Sequence, residues 1–208
     1  MLKKAIFFDF DGTIADTAET GVSIFNAMAR EYGFFEITEA NRAVLRDKGP
    51  REVMRILEIP AYRVPTVVRG LRNGIREVIP TLRVMDGMAE ALTELKRRGY
   101  FLGIVTSNLK RNVRQFLRHN HIDFFDYIRA GSGVFRKTYA IRMALFVNNL
   151  EKSEVMFVGD EIRDVEAARK VEVTVAAVTW GINSRQGLLG ANPDFVVDSA
   201  EELLKLLS

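Results

Sequence analysis

Six short apolar runs, each ending in a polar turn, recur along this chain of 208 residues. They are the segments KKAIFFD, YFLGIVTS, DYIRAG, EVMFVGD, EVTVAAVTW and DFVVDS. Each run is typical of a buried strand. Helical patterns such as GMAEALTELKRRG, NVRQFLRHN and YAIRMALFVNN separate most of them. Because alternating strands and helices favour a parallel sheet with helices on both faces, we predict an α/β fold built on a doubly wound parallel sheet.

One interval of the sequence departs from this alternation. From Asp16 to about Met85 the apolar periodicity is helical throughout, and four prolines interrupt it. Asp16 and Glu19 have the spacing of a helix N-cap and its capping-box partner. We therefore predict an all-helical insertion over residues 16–85, after the first strand, and an α/β core formed by residues 1–15 and 86–208.

Composition limits the classes of function. With 48% hydrophobic residues, a chain of this length should bury about 70% of its unfolded surface, enough for one core and a smaller subdomain. The 30 basic and 27 acidic residues give a net charge of +3, and the basic residues are scattered, so we expect neither a nucleic acid nor a membrane partner.

The chain contains no cysteine, which rules out disulfides, thiolate zinc sites and cysteine nucleophiles. The apolar run near the start is interrupted by Asp9 and is too short for a signal peptide. We therefore expect a cytoplasmic protein.

The first strand, in the segment IFFDFDGTI, carries two aspartates in an otherwise apolar run. A lone carboxylate in a dry strand is costly or takes up a proton, so Asp9 and Asp11 need a partner that favours negative charge. Side chains two apart on a strand point the same way, and ligands bind at the carboxyl edge of open parallel sheets. A metal ion or a reacting phosphorus would meet that need. Gly12 allows a sharp turn there, and a Gly-Thr turn can present backbone N–H groups to an anion.

Three further polar clusters follow later strands or precede a helix. GIVTSN ends in residues 106–108, whose hydroxyl and backbone donors suit phosphate oxygens. GSGVFRKTY places Lys137 just ahead of a predicted helix, where an ammonium could neutralise an anion or simply face solvent. MFVGDEIRD supplies Asp160 at a strand end and Asp164 one helical turn later, a spacing that suits a hard cation such as Mg²⁺. Glu161 adds another acid there or faces water.

Taken in order, these clusters resemble the motifs of the haloacid dehalogenase-like hydrolase superfamily, most closely its phosphoglycolate phosphatase-like branch. DFDGTI is similar to the first motif, VTSN to the second, Lys137 to the third and GDEIRD, with its Gly-Asp-x-x-x-Asp spacing, to the fourth. Thr138 stands where family members often have proline. The helical stretch after the first motif resembles the small helical cap of that family. The resemblance covers nearly the whole chain and implies a Rossmann-like core with that cap.

The resemblance implies a Mg²⁺-dependent phosphatase acting on a small phosphorylated metabolite, with 2-phosphoglycolate as the first guess. Asp9 would attack phosphorus and form an aspartyl-phosphate, while Asp11 would protonate the leaving alcohol and later deprotonate water. An acid at position 11 also argues against a dehalogenase, because halide leaves without a proton. The implied metal ligands are Asp9, the Asp11 backbone carbonyl, Asp160 and Asp164. The implied phosphate-binding residues are Gly12, Thr13, Thr106, Ser107, Asn108 and Lys137.

Substrate choice is expected to lie in the helical insertion. DKGPREVMRIL resembles a family loop that leans over the active site, so Lys48 and Arg51 are candidates for contact with a second anionic group. A helix further on presents an arginine stripe that is ordinarily a solvated face: Arg69, Arg72 and Arg76.

Other functions remain open at this point. A sugar phosphate, a nucleoside monophosphate or pyrophosphate would fit the same core, and so would a sugar-phosphate mutase. A signalling receiver or a catalytically silent binding module also combines acids, a hydroxyl and a lysine at a sheet edge, although the phosphorylated aspartate of a receiver lies on a later strand. Trp180 either lines the cleft or fills the core, and the sequence does not fix the oligomeric state.

Overall fold

The computed structural model describes residues 4–131, 133 and 136–207. Its strands form one parallel sheet in the order β3-β2-β1-β4-β5-β6. They are β1 (Ala5–Phe8), β2 (Phe101–Val105), β3 (Tyr127–Arg129), β4 (Val155–Gly159), β5 (Thr174–Val178) and β6 (Phe195–Val197). Each lies in one of the apolar runs predicted to be a strand, so the predicted doubly wound α/β fold is confirmed.

Helices connect the strands and form the interval between β1 and β2. They are α1 (Ala18–Tyr32), α2 (Glu39–Arg46), α3 (Pro50–Ile56), α4 (Val64–Val78), α5 (Met88–Arg97), α6 (Lys110–His119), α7 (Lys137–Val147), α8 (Ile162–Val171), α9 (Arg185–Gly190) and α10 (Ala200–Leu206). Short 3-10 turns occupy Ala61–Arg63, Ile79–Thr81 and Lys152–Glu154. Within the described part of the chain, no helix has the length and apolar character needed to cross a membrane.

The strand order places the carboxyl ends of β1 and β4 side by side. Chain order reverses between these two strands, and ligands of open α/β sheets bind at such a reversal. Phe8 lies opposite Val158 in the register of the pair. The amide of Asp9 then donates to the Val158 carbonyl at 2.8 Å. The residues that follow β1 and β4 are thereby held next to each other.

The pleat of β1 divides its side chains between the two faces of the sheet. Ala5 and Phe7 belong to the apolar cluster on one face. Ile6, Phe8 and Phe10 belong to the cluster on the other face. Asp9 lies between Phe8 and Phe10, and these two buried neighbours anchor its backbone. The Asp9 side chain itself lies in the site at the sheet edge.

The helices α1 to α4 surround an apolar cluster of their own, and we call this segment the helical insertion. Its buried members are Phe25, Ala29, Leu45, Leu57 and Val67. The chain enters and leaves the insertion along one paired crossing: the Asp16 amide donates to the Arg83 carbonyl at 3.0 Å, and the Met85 amide donates to the Ile14 carbonyl at 2.9 Å. The division into a core of residues 1–15 and 86–208 and a cap of residues 16–85 stays a prediction.

The predicted capping box at the start of α1 is wrong. The helix begins at Ala18 with Thr17 as its N-cap residue, and no side chain caps it. Asp16 lies one residue before this N-cap, and its amide takes part in the paired crossing. Glu19 instead forms an ion pair with Arg42 of α2. A contact between distant parts of the chain has replaced the local one that the spacing suggested.

We predict that Phe10→Ala lowers the free energy of unfolding by about 3–5 kcal/mol, because it empties a fully buried aromatic site. Phe10 is 0% exposed and packs edge-to-face on Phe116 at 5.1 Å between ring centroids. Equilibrium unfolding in denaturant measures the change. The control is Phe146→Ala, at a side chain that is 79% exposed, which should cost within about 0.5 kcal/mol. Equal losses in the two variants would contradict the burial assigned to Phe10.

Candidate active site

The polar residues predicted at the strand ends lie together at the carboxyl edge of the sheet. Asp9 follows β1, and Thr106 follows β2. Asp160 follows β4, and Asp164 lies in the first turn of α8. Lys137 is the first residue of α7 rather than a residue ahead of it. All five side chains are almost fully buried.

Three of these carboxylates form what we call the acid cluster. Asp9, Asp160 and Asp164 each place a carboxylate oxygen within 4.8 Å of the others. Lys137 Nζ lies 2.7 Å from Asp9 Oδ2 and 2.9 Å from Asp164 Oδ1. Two of the three carboxylates therefore share the Lys137 ammonium, and Asp160 lies beside them. Oxygen ligands with excess negative charge suit a hard divalent cation, so the residues present fit a metal site.

Burial shifts the pKa values of the acid cluster. It raises the pKa of Asp160 well above its usual range, and the charges of Glu161, Asp164 and Asp9 add to the rise. Burial also raises the pKa of Asp164 to about 7, against the opposing charge of Lys137. Burial alone would lower the pKa of Lys137, but Asp164 and Asp9 raise it above its ordinary value. A divalent cation would relieve the repulsion that these shifts record.

Two glycines allow the backbone to close around Asp160. Gly12 has a φ of +78°, and a Cβ atom there would lie 2.2 Å from Asp160 Oδ2. A Cβ atom at Gly181 would lie at the same distance from that oxygen. The Thr13 hydroxyl donates to Asp160 Oδ1 at 2.6 Å, and the Ile182 amide donates to Oδ2 at 2.8 Å. Any larger residue at either glycine would displace this carboxylate.

Asp11 lies at the same edge but outside the acid cluster. Its two carboxylate oxygens accept hydrogen bonds from Asn108 Nδ2 at 2.9 and 3.1 Å. Asn112 holds Asn108 in turn, because its Nδ2 donates to Asn108 Oδ1 at 3.0 Å. Burial first and the charge of Asp9 second raise the pKa of Asp11 from 3.8 to about 7. Its carboxylate can therefore carry a proton near neutral pH.

The predicted phosphate-binding residues have varied partners. The Gly12 amide donates to the Ala15 carbonyl at 2.9 Å, so it does not face an anion as the sequence suggested. The tight turn that Gly12 permits closes on itself and uses that donor internally. Thr106 Oγ1 accepts from the Asn108 amide at 3.0 Å. Ser107 and Asn108 line a cavity beneath the helical insertion.

Comparison with known proteins identifies the family of this chain. The family model described as haloacid dehalogenase-like hydrolase matches residues 6–178. The chain belongs to the haloacid dehalogenase-like hydrolase family. A phosphoglycolate phosphatase of Synechococcus elongatus is 34% identical over 206 residues, which cover 99% of this chain and 97% of that protein. The predicted family is confirmed.

Two further relatives of this hydrolase extend over its whole length. The pyrophosphatase PpaX of Listeria innocua is 27% identical over 207 residues, covering 97% of this chain and 95% of its own. The crystal structure of a predicted phosphatase from Clostridium acetobutylicum superposes with a TM-score of 0.83 at 26% identity, covering 100% of this chain and 99% of the other.

The fourth motif of the hydrolase contains an ion pair that the sequence did not predict. Arg163 pairs with Glu161, and Glu161 is only 8% exposed, so this acid does not face water. Burial opposes the charge on Arg163, but Glu161, Asp164 and Asp9 raise its pKa. In GDEIRD the arginine stands at a spacer position between two aspartates. The acids on either side of this arginine in the sequence were the signal that could have indicated the ion pair.

The two residues predicted to govern substrate choice, Lys48 and Arg51, have different surroundings. Lys48 pairs with Glu52 at 4.0 Å. Arg51 lines a polar cavity of about 380 Å³ together with Lys137. Arg72, one of the three arginines of the predicted solvated stripe, lines the cavity that also reaches Asp11. Trp180 packs against the core cluster, and its Nε1 donates to the Thr13 carbonyl at 3.1 Å.

One buried asparagine joins the helical insertion to the acid cluster. Asn183 Nδ2 donates to the carbonyls of Arg46 at 2.7 Å and Lys48 at 3.0 Å. Its Oδ1 accepts from the Ile162 amide at 2.9 Å, an otherwise orphan donor of the first turn of α8. Residue 182 beside it donates to Asp160. The same short loop thus holds the insertion and a carboxylate of the cluster.

We predict that Asn183→Ala loosens the loop between α2 and α3. It removes the side-chain partner of the part-buried Lys48 carbonyl and Ile162 amide, and each group left unsatisfied costs roughly 1–3 kcal/mol. The Arg46 carbonyl keeps its bond from the Ser184 amide at 2.9 Å. Hydrogen exchange followed by mass spectrometry should show faster exchange in residues 44–54, and thermal unfolding should shift downward. Asn148→Ala is the control, because Asn148 Nδ2 makes a local bond to the Ala144 carbonyl at 2.7 Å. Unchanged exchange in residues 44–54 of Asn183→Ala would show that other contacts hold the insertion.

Proposed function

We propose that this chain is a Mg²⁺-dependent phosphatase that hydrolyses a small phosphorylated metabolite through an aspartyl-phosphate on Asp9. One observation supports it most: two aspartates at the same sheet edge have opposite surroundings. Asp9 is paired with Lys137 in the acid cluster, whereas Asp11 lies outside the cluster and accepts hydrogen bonds from Asn108. The relatives named as phosphoglycolate phosphatase and pyrophosphatase act at phosphorus, which supports the same reaction class.

Asp9 is proposed as the nucleophile. Its Oδ1 accepts from the Phe10 amide at 2.8 Å, and its Oδ2 pairs with Lys137 at 2.7 Å. Both contacts fix the direction of the carboxylate. Attack by a carboxylate oxygen on phosphorus forms the acyl phosphate and releases the alcohol of the substrate.

Asp11 is proposed as the acid and base of the reaction. In its protonated form it donates to the departing alcohol oxygen, and the resulting carboxylate then takes a proton from the water that cleaves the aspartyl-phosphate. Asn108 donates to both carboxylate oxygens and so orients the group in either state. The side chain needs no part in metal binding for this role.

Asp9, Asp160 and Asp164, with the backbone carbonyl of Asp11, are proposed to hold Mg²⁺. When bound, the ion neutralises charge on the transferring phosphoryl group. Lys137, Thr106, Ser107, Thr13 and Asn108 are proposed to contact its oxygens, with Lys137 as the positive charge. The helical insertion is proposed as a cap that excludes water from the reaction. Phosphoglycolate, the substrate in the name of the Synechococcus relative, is the first compound to assay.

We predict that Asp9→Asn abolishes phosphate release, because an amide is a poor nucleophile and loses the charge that Lys137 stabilises. The assay measures inorganic phosphate from phosphoglycolate, pyrophosphate and an aryl phosphate in the presence of Mg²⁺. Asp123→Asn, at an exposed aspartate after α6, is the matched control and should retain wild-type turnover. Substantial release by Asp9→Asn would assign the nucleophile elsewhere.

We predict that Mg²⁺ raises the thermal midpoint of the wild-type protein without any substrate. A ligand at 100 times its Kd stabilises the folded state by about 2.7 kcal/mol, or roughly 5–10 °C for a chain of this size. Asp160→Asn removes one ligand and one negative charge, so its midpoint should respond little to Mg²⁺. Equal responses of the two proteins, measured by calorimetry against EDTA, would place the metal away from the acid cluster.

A further inference from the structure

A cavity of about 350 Å³ lies between the helical insertion and the residues of the proposed reaction. Its volume falls in the range of about 300–1,000 Å³ that is usual for binding sites of sizeable organic ligands. The walls come from three helices of the insertion and are mainly aliphatic and aromatic. They include Val22 and Phe25 of α1, Val53 and Met54 of α3, and Val68 and Leu71 of α4.

The base of this cavity is formed by the part of the site that contains Asp11, the proposed acid and base. Asp11, Ser107 and Asn108 line it, whereas Asp9 is not among the lining residues. The proposed proton donor to the leaving group thus faces the cavity. A leaving alcohol that receives its proton from Asp11 extends into the space beneath α1, α3 and α4.

The chemistry of the lining does not match glycolate. The charged lining residues are two acids and two arginines: Asp11, Glu161, Arg72 and Arg163. Arg163 is paired with Glu161, which leaves Asp11 and Arg72 as the other charged side chains of the lining. A second carboxylate on the alcohol would lose much of its water to walls that are mainly apolar, which is costly. A two-carbon alcohol would also leave most of the apolar surface uncovered.

The second cavity supplies the contrast. It holds about 380 Å³ on the other side of the site and is lined by four basic residues and two acids: Arg51, Lys137, Arg163, Lys170, Glu52 and Glu166. Pro50 and Arg163 line both cavities, so the two spaces adjoin. The second space is rich in charged side chains, whereas the first space is mainly apolar and suits an uncharged organic group.

We propose that the cavity beneath the helical insertion binds the leaving alcohol, and that the preferred substrates are phosphomonoesters whose alcohol carries an extended aliphatic or aromatic group. This inference rests on the proposed phosphatase function and specifies its substrate class. The alcohol contacts the walls equally in the bound substrate and in the transition state. This contact should therefore act mainly by lowering KM.

Gly21 offers a direct way to fill the cavity. It lies in α1 and lines the cavity, and a Cβ atom there would meet nothing within 4 Å. Gly21→Phe is therefore expected to direct a ring into the space from an open position of the wall. Gly21→Ala is the matched control, because it makes the same backbone change and leaves the space open. Met54→Ala is a second variant that enlarges the cavity instead.

The experiment measures kcat/KM for methyl, butyl, hexyl and octyl phosphate, a phenyl phosphate and phosphoglycolate, with Mg²⁺ present. In the wild type and in Gly21→Ala, kcat/KM should rise about fourfold per methylene until the cavity is full, the factor equivalent to about 0.8 kcal/mol per buried CH₂. Gly21→Phe should lose at least tenfold on octyl phosphate while methyl phosphate stays within about threefold. Met54→Ala should move the plateau to longer chains.

The outcomes separate the inference from the function on which it rests. Phosphate release that is independent of chain length, or that favours phosphoglycolate, would overturn the substrate class and leave the phosphatase standing. A chain-length preference that survives in Gly21→Phe, with an unchanged plateau in Met54→Ala, would place the alcohol outside this cavity. Absence of phosphate release from every compound would overturn both proposals together.

Discussion

Buried negative charge at the junction of β1 and β4 is the constraint on which the rest of the structure depends. The acid cluster gathers three carboxylates, of which Asp9 and Asp164 pair with Lys137, and removing them from water is costly unless each finds partners. The surrounding sequence supplies those partners: a threonine hydroxyl and a backbone amide on Asp160, and glycines that let the chain approach it. The fold therefore concentrates charge that only a cation would fully balance.

The two aspartates of the first motif are proposed to divide the chemistry, and their partners differ although they stand two residues apart. Asp9 continues a buried strand and pairs with Lys137, whereas Asp11 follows the chain's turn and accepts hydrogen bonds from Asn108. Burial and the charge of Asp9 raise the pKa of Asp11, which favours a proton on that carboxylate. A nucleophile and an acid can thus coexist without a large separation between them.

Local patterns predicted the sheet well because buried parallel strands are continuous apolar runs whose ends must carry any polar function. They failed where distant segments compete for the same groups. Asp16 lies outside α1 and donates its amide to the Arg83 carbonyl, and the Gly12 donor is used by Ala15. Asn183 gave no distinctive signal, since its partners in the insertion are set by packing across the fold. Arg163 was marked by the acids around it, but the resemblance to the family motifs did not include its ion pair with Glu161.

The loop after β5 connects the acid cluster to the proposed specificity cavity. Ile182 donates its amide to Asp160 and also lines the cavity, while Asn183 binds the carbonyls of Arg46 and Lys48 in the insertion. A displacement of the insertion at this point would strip partners from buried carbonyls, which is costly. The position of the apolar walls and that of a carboxylate of the cluster are therefore fixed by the same few hydrogen bonds. A substrate group that fills the cavity and holds the insertion in place would stabilise the geometry of the acid cluster as well.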